Sequence, residues 1–336
     1  MHADRIAIVR MSVAIAALAW LVGCGNGAVN AAKPGGANAP AAVNAVGAQD
    51  KAPSPQQTGG FDGQKAYDYT AKLVSFGPRP SGSDAIKQTQ NYIYSQLHDD
   101  GCEISQDNFH AQTPIGTVPM QNIIAKVPGS GKNILLLLTH YDTVRYVQDF
   151  VGAEDGGSST GLMLELARHF CAKTARPRHA AIWMAFLDGE EAMVDWNKDN
   201  DHTYGSRELA AKMELDGNLL DVKAVILVDM IGQKKLTMKK ETNSTPWLVD
   251  FIWAEAAKLG YGDVFVSQNT AAEDDHDPFL AKKVAAVDLI DLDDYIAEGY
   301  WHTAQDTMDK ISPRNLAIVG HVMLASVDGL ETKFSK

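Results

Sequence analysis

Five short apolar runs, at 120–127, 133–139, 180–187, 223–230 and 284–290, recur through the chain with helix-like stretches between them. Runs of this length, dominated by Ile, Leu and Val and without polar alternation, suit strands buried on both faces. The intervening stretches, at 83–99, 158–172, 203–213, 245–259 and 313–330, are long enough to be the helices that cover such a sheet. The expected fold is therefore α/β, with a central mixed, mostly parallel sheet and helices on both faces. Ser83 and Ser158 stand where helix caps belong, and Pro313 stands where a first turn tolerates proline.

Polar residues fall at the ends of these runs. His140 and Asp142 follow the second, Asp188, Glu190 and Glu191 follow the third, and Asp229 closes the fourth. In open α/β sheets ligands gather at the carboxyl ends of strands, so three strands deliver carboxylate or imidazole to one edge. Asp155, at the mouth of a helix, is placed to join them. Glu190 and Glu191 reach that edge through a glycine turn, which lets one bind a metal while the other faces a substrate.

Composition narrows the chemistry. With 30 Lys+Arg against 42 Asp+Glu, the net charge of −12 argues against a nucleic-acid partner. Three cysteines exclude a disulfide-dense scaffold and a four-cysteine zinc cluster, so any metal must use His, Asp and Glu.

The first 60 residues read differently from the rest. Arg5 and Arg10 precede an apolar run at 11–23, too short to span a membrane but suited to a signal-peptide core. It ends in Leu21-Val22-Gly23-Cys24, which looks like the lipobox of bacterial lipoproteins, with Cys24 as the lipidated residue. Residues 24–60, rich in Ala, Gly, Asn and Pro, are expected to form a flexible tether. The catalytic domain is then 61–336, of a size that one core supports. Cys102 and Cys171 are left over; the sequence leaves their pairing open, and two buried free thiols are the preferred reading. The whole describes an exported lipoprotein on the periplasmic or outer-surface face of a membrane, which it touches through the lipid anchor only.

Longer strings carry a resemblance. Thr139-His140-Tyr141-Asp142, Gly152-Ala153-Glu154-Asp155, Phe186-Leu187-Asp188-Gly189-Glu190-Glu191-Ala192, Trp196, Tyr204-Gly205-Ser206-Arg207, Asp274-Asp275-His276-Asp277-Pro278-Phe279 and Trp301-His302-Thr303 resemble the zinc aminopeptidase-like superfamily. Within it they are most similar to the glutaminyl-peptide cyclotransferases, or glutaminyl cyclases, over about residues 60–330. Trp196 after the Glu pair, and Asp274-Asp275-His276 in place of the Ser-Asp-His usual in aminopeptidases, favour the cyclases. The resemblance implies Asp155, Glu191 and His302 as ligands of one Zn2+ per chain. It further implies Glu190 as proton carrier, Asp229 and Asp274 as its hydrogen-bonded catalytic partners, and Trp196 and Trp301 as substrate-binding walls. His276 is read as bracing its loop. A cysteine pair near the metal loop of vertebrate cyclases is absent, with Thr139 and Thr160 in the aligned places.

The implied reaction converts the N-terminal Gln of a peptide or protein to pyroglutamate with release of ammonia, in a monomeric catalytic domain. The rival within the superfamily is a dinuclear zinc aminopeptidase, for which His140 and Asp229 would complete a second metal site. A non-enzymatic peptide-binding lipoprotein is a third reading, and it gives Glu190 no reason to be ionisable. The anchor is testable at once. Cys24→Ala should move the protein from the membrane to the soluble fraction; unchanged partition, or a mature N-terminus beyond Cys24, would reject lipidation.

Overall fold

The computed structural model describes residues 50–335 apart from 174 and 199, so the signal segment and Cys24 lie outside the described residues. The strands are β1 (Glu103–Thr113), β2 (Gly116–Val127), β3 (Ile134–His140), β4 (Ala181–Leu187), β5 (Val222–Asp229), β6 (Met238–Glu241), β7 (Phe265–Thr270) and β8 (Ala286–Ile290). Six of them form the main sheet in the order β1-β2-β4-β3-β5-β8, and β6 pairs with β7 separately. β4, β3, β5 and β8 are mutually parallel, while β1/β2 and β2/β4 are antiparallel. The sheet is therefore mixed and mostly parallel, as the apolar runs predict.

Its faces follow from strand periodicity. Every residue of β3 and β8 is buried, which is why these strands read as unbroken apolar runs. Leu135 and Leu137 point into a core shared with helices α1 (Gly63–Val74), α2 (Asp84–Asp99) and α3 (Ser159–Cys171). Leu136 and Leu138 point the other way, toward Leu209 and Met213 of α4 (Tyr204–Leu215). Helix α5 (Pro246–Lys258) joins the first face, and the short α6 (Asp277–Ala281) and α7 (Leu292–Ala297) precede the long α8 (Pro313–Phe334), which also covers the first face. At Gly320 of α8 a β-carbon would stand 2.4 Å from the Phe61 ring, so only glycine admits that close approach.

Four expectations change. β1 is absent from the apolar pattern because it is a polar edge strand, held by its backbone register with β2 across the two-residue turn between Thr113 and Gly116. Ser83 does cap α2, accepting from Ile86 N–H at 3.1 Å, but Ser158 caps nothing. Its hydroxyl instead donates to Glu154 O at 2.6 Å, because a wide turn at Glu154–Ser158 runs directly into α3. The tether also ends earlier than expected. Residues Pro55–Gln57 form a 3-10 turn closed by a Ser54–Gln57 capping box, and Thr58 is buried with its hydroxyl on Phe61 O at 2.6 Å.

The fourth change concerns the cysteines, which are not free thiols. Cys102, just before β1, and Cys171, the last residue of α3, form a disulfide with Cα atoms 5.0 Å apart. Composition cannot pair residues 69 positions apart, whereas the packing of α3 beside the start of β1 does. A loop of this length is worth about 2–4 kcal/mol by restricting the unfolded chain. The Cys102→Ser/Cys171→Ser variant should therefore unfold at a lower denaturant midpoint by about that free energy, and an unchanged midpoint would deny the bond a structural role.

Candidate functional site

The carboxyl edge of the sheet gathers the residues named from sequence. β3 ends on His140, β5 ends on Asp229, and the turn after β4 carries Glu190 and Glu191. Gly189 makes that turn with φ +79°, where an added β-carbon would lie 2.6 Å from Met120 Sδ. The turn is clamped from both sides. Asp142 accepts from Glu190 N–H at 3.1 Å and Glu191 N–H at 3.3 Å, while Thr203 N–H donates to Glu190 O at 2.8 Å. Asp155 leaves the helical path of its turn (φ −78°, ψ 106°), and His302 is held at φ +50°. Both side chains are thus aimed by backbone that departs from regular structure, a pattern common at functional sites.

Asp155, Glu191 and His302 converge. His302 Nε2 lies 3.4 Å from Asp155 Oδ2 and 3.2 Å from Glu191 Oε2. Ligands on tetrahedral zinc bonds of about 2.0–2.1 Å are separated by about 3.3 Å, so the spacing is that of a coordination edge. Glu191 is 2% exposed, yet neither carboxylate oxygen has a hydrogen-bond partner. A buried carboxylate left bare is costly, and a cation between these three groups satisfies it. The residues therefore fit a metal ion.

Asp155 also faces a second group through its other oxygen. His140 Nε2 lies 3.3 Å from Asp155 Oδ1 and 3.1 Å from Asp229 Oδ1. Here, unlike at Glu191, the contact between His140 and Asp229 is itself a hydrogen bond. The geometry could hold a metal, but within it His140 and Asp229 already hydrogen-bond one another.

The charges respond strongly to burial. Burial raises Glu191 to about 7, against the pull of His302. It would lower His302, but Glu191 and Asp155 together push that imidazole up to about 10. Asp155 runs the opposite way: burial would raise it, yet His140 and His302 hold it below the ordinary carboxylate range. Glu190 and Asp274 are both lifted well above that range, first by burial and then by neighbouring carboxylates. Asp229 is raised by burial as well, with His140 opposing.

Asp155, Glu190, Glu191, Trp196, Asp229, Asp274, Trp301 and His302 all line one cavity of about 160 Å³, closed on one side by Met230, Ile290 and Leu292. Trp301 stacks on His302 with ring centroids 4.0 Å apart. One implied detail differs. Among the described residues, Glu190 makes no hydrogen bond to Asp229 or Asp274: its Oε2 is 3.6 Å from His140 Nδ1, and Asp274 Oδ1 accepts from Asp275 N–H at 2.6 Å. The three carboxylates share the cavity and its field without a direct bond. His276 is buried 3.3 Å from Glu241 Oε2, consistent with a bracing role.

Several supporting roles escape a reading of the sequence. Asp306 accepts from Glu154 N–H at 2.8 Å and Asp155 N–H at 3.1 Å, so it fixes the backbone that presents Asp155. Arg79, fully buried, donates to Tyr141 O at 2.8 Å and Gly152 O at 2.9 Å and binds Val151 O, joining the β3 exit to the Asp155 turn. Asp188 accepts from Ser81 Oγ at 2.6 Å and Gln121 N–H at 3.0 Å. Nothing in the local sequence marks Arg79 or Asp306, because the backbone groups of the site that they hold lie more than 60 residues away.

Known proteins resemble this chain in sequence and fold. A profile of peptidase family M28 matches residues 122–327. The glutaminyl-peptide cyclotransferase of Drosophila melanogaster is 27% identical over 270 residues, covering 72% of this chain and 75% of that protein. The crystal structure of an Acidobacteriales bacterium glutaminyl cyclase is 35% identical with a TM-score of 0.76, covering 89% of this chain and all of the other. A Zn-dependent exopeptidase from Parabacteroides distasonis is 28% identical with a TM-score of 0.71, covering 79% and 97% respectively.

Partners that orient metal ligands are typically worth about 10- to 100-fold in metal affinity. Asp306→Ala should therefore weaken zinc by about that factor in a chelator competition, although Asp306 is no ligand. Unchanged affinity would show that Asp155 is positioned without it.

Proposed function

Because the chain belongs to peptidase family M28 and is similar in sequence and fold to glutaminyl cyclases, we propose that it cyclises the N-terminal glutamine of peptides and proteins to pyroglutamate, releasing ammonia. The observation that most supports this reading is the convergence of Asp155, Glu191 and His302 beside Glu190, inside a small cavity walled by Trp196 and Trp301. Zinc held by those three residues supplies Lewis acidity toward an amide carbonyl.

The protein's own groups supply the rest. The substrate carries its nucleophile and electrophile in one residue, so the cavity's task is to hold the α-amine against the γ-amide carbon. Trp196 and Trp301 offer flat faces for that purpose, and the apolar Ile290 and Leu292 help keep bulk water away. The α-ammonium, with a pKa of about 7.7–8.0, is partly free amine near neutral pH, and as that amine attacks the γ-carbon Glu190 takes the proton its nitrogen gives up. The new carbon–nitrogen bond closes the five-membered ring; Glu190 then returns the proton to the γ-nitrogen as its bond to carbon breaks and ammonia leaves. Asp229 and Asp274, close enough to influence one another's ionisation, act as the acidic surroundings in which that proton is held.

We further propose one zinc per chain, a monomeric catalytic domain, and display from a lipid anchor at Cys24 on the periplasmic or outer-surface face of a membrane. The hydrogen bond between His140 and Asp229 favours a single metal, whereas the grouping of His140, Asp155 and Asp229 is what favours the aminopeptidase reading. Mass analysis after incubation with a glutaminyl and an alanyl peptide separates the two: loss of ammonia from the first supports the cyclase, and release of free alanine from the second supports the peptidase. Two zinc equivalents that survive dialysis, with activity tracking the second, would also favour the peptidase. Glu190→Gln should retain zinc yet lose about 100- to 10,000-fold in turnover, and a loss below tenfold with chemistry rate-limiting would reject the role. Glu191→Gln should instead lower the zinc content, since it replaces an anionic ligand with a neutral one.

A further inference from the structure

The space around Trp196 does not end at the catalytic cavity. A second groove, of about 460 Å³, is lined by Trp196, Lys198, His202, Arg207 and Glu273. Trp196 and Glu273 line both spaces, so the groove continues from the cavity past the edge of the indole.

The loop between the two is firmly held. Asp201 accepts from the N–H groups of Met193, Val194 and Asp195 at 3.2, 3.0 and 3.0 Å. Arg207 donates to Asn200 O and His202 O at 2.9 Å each, and Trp196 stacks on His202 with centroids 4.3 Å apart and planes 10° from parallel. Because Thr203 N–H also bonds Glu190 O at 2.8 Å, the groove wall has a fixed relation to Glu190.

Charge distinguishes the two spaces. Asp155, Glu190, Glu191, Asp229 and Asp274 face the cavity, with Glu273 on the border, whereas the groove contributes the cations Lys198 and Arg207. Burial keeps His202 below its ordinary value, so it contributes a stacking face and no charge near neutral pH. Asp195, on the same loop and close to Lys198, has its carboxylate capped by Asn197 N–H at 3.1 Å.

A peptide whose first residue fills the cavity must leave through its mouth, advancing about 3.3–3.6 Å per extended residue. We propose that the groove receives the residues that follow the N-terminal glutamine, and that Lys198, backed by Arg207, favours acidic side chains there. This inference rests on the cyclase reading above.

The test compares kcat/KM for glutaminyl peptides carrying Glu or Lys at the second or third position, with glutaminyl amide as a reference that places nothing in the groove. At low ionic strength the Glu peptides should lead by about two- to fivefold, the range that an exposed ion pair supplies. Salt should narrow the gap, and Lys198→Glu should remove or reverse it. An acidic protein with an acidic cavity would by itself favour the Lys peptides. Equal rates or a Lys preference in the wild type therefore overturns the proposal, as does a gap that Lys198→Glu leaves intact. Absence of ammonia release from glutaminyl amide itself would overturn the cyclase reading, and this inference with it.

Discussion

Burying many carboxylates at one edge of a sheet is the constraint around which this protein is organised. Asp142, Asp155, Asp188, Glu190, Glu191, Asp229, Asp274 and Asp306 are all withdrawn from water. Each would be strongly unfavourable alone. Backbone N–H donors hold Asp142 and Asp306, and a hydroxyl and an N–H hold Asp188. His140 and His302 offset the charge of Asp155. Glu191 keeps both oxygens buried without a hydrogen bond among the described residues, and with Asp155 and His302 converging on it a cation fits there.

The supports of the site are themselves long-range. Arg79 ties the segment after β3 to the turn that carries Asp155, and it stays charged although burial draws it down to about 10, because Asp306, Asp142 and Asp155 oppose that shift. Glycine matters where chains cross most closely. A β-carbon at Gly156 would stand 2.9 Å from both Asp142 O and His140 Cε1, so the Asp155 turn can lie against the end of β3 only with glycine there. Rigid loops of this kind let carboxylates be presented to a substrate without collapsing onto one another.

The same skeleton carries both chemistries considered for the family. Two metal-capable groups share Asp155, and the difference between them lies in what else each donor touches. His140 already hydrogen-bonds Asp229, whereas Glu191 meets His302 at 3.2 Å as an ion pair. The hydrogen bond within the second group is what sets it apart from the first.

By itself the sequence determined the layered sheet and the end of it that does the chemistry. Continuous apolar runs such as 133–139 can be buried on both faces only in the middle of a covered sheet, and the polar residues that terminate them must then emerge at one edge. The strings around Glu190, Asp274 and His302 also carried the family likeness that named the ligand set. Tertiary structure alone decided the remainder. The polar β1 has no apolar signal because at the sheet edge most of its residues stay out of the core, and the disulfide between Cys102 and Cys171 depends on where α3 ends relative to β1. Arg79 and Asp306 are ordinary charged residues in the sequence, and they become supports only when folding brings distant backbone groups to them. Local pattern reports the periodicity and chemistry of neighbours along the chain; hydrogen bonds, bridges and fields act between neighbours in space.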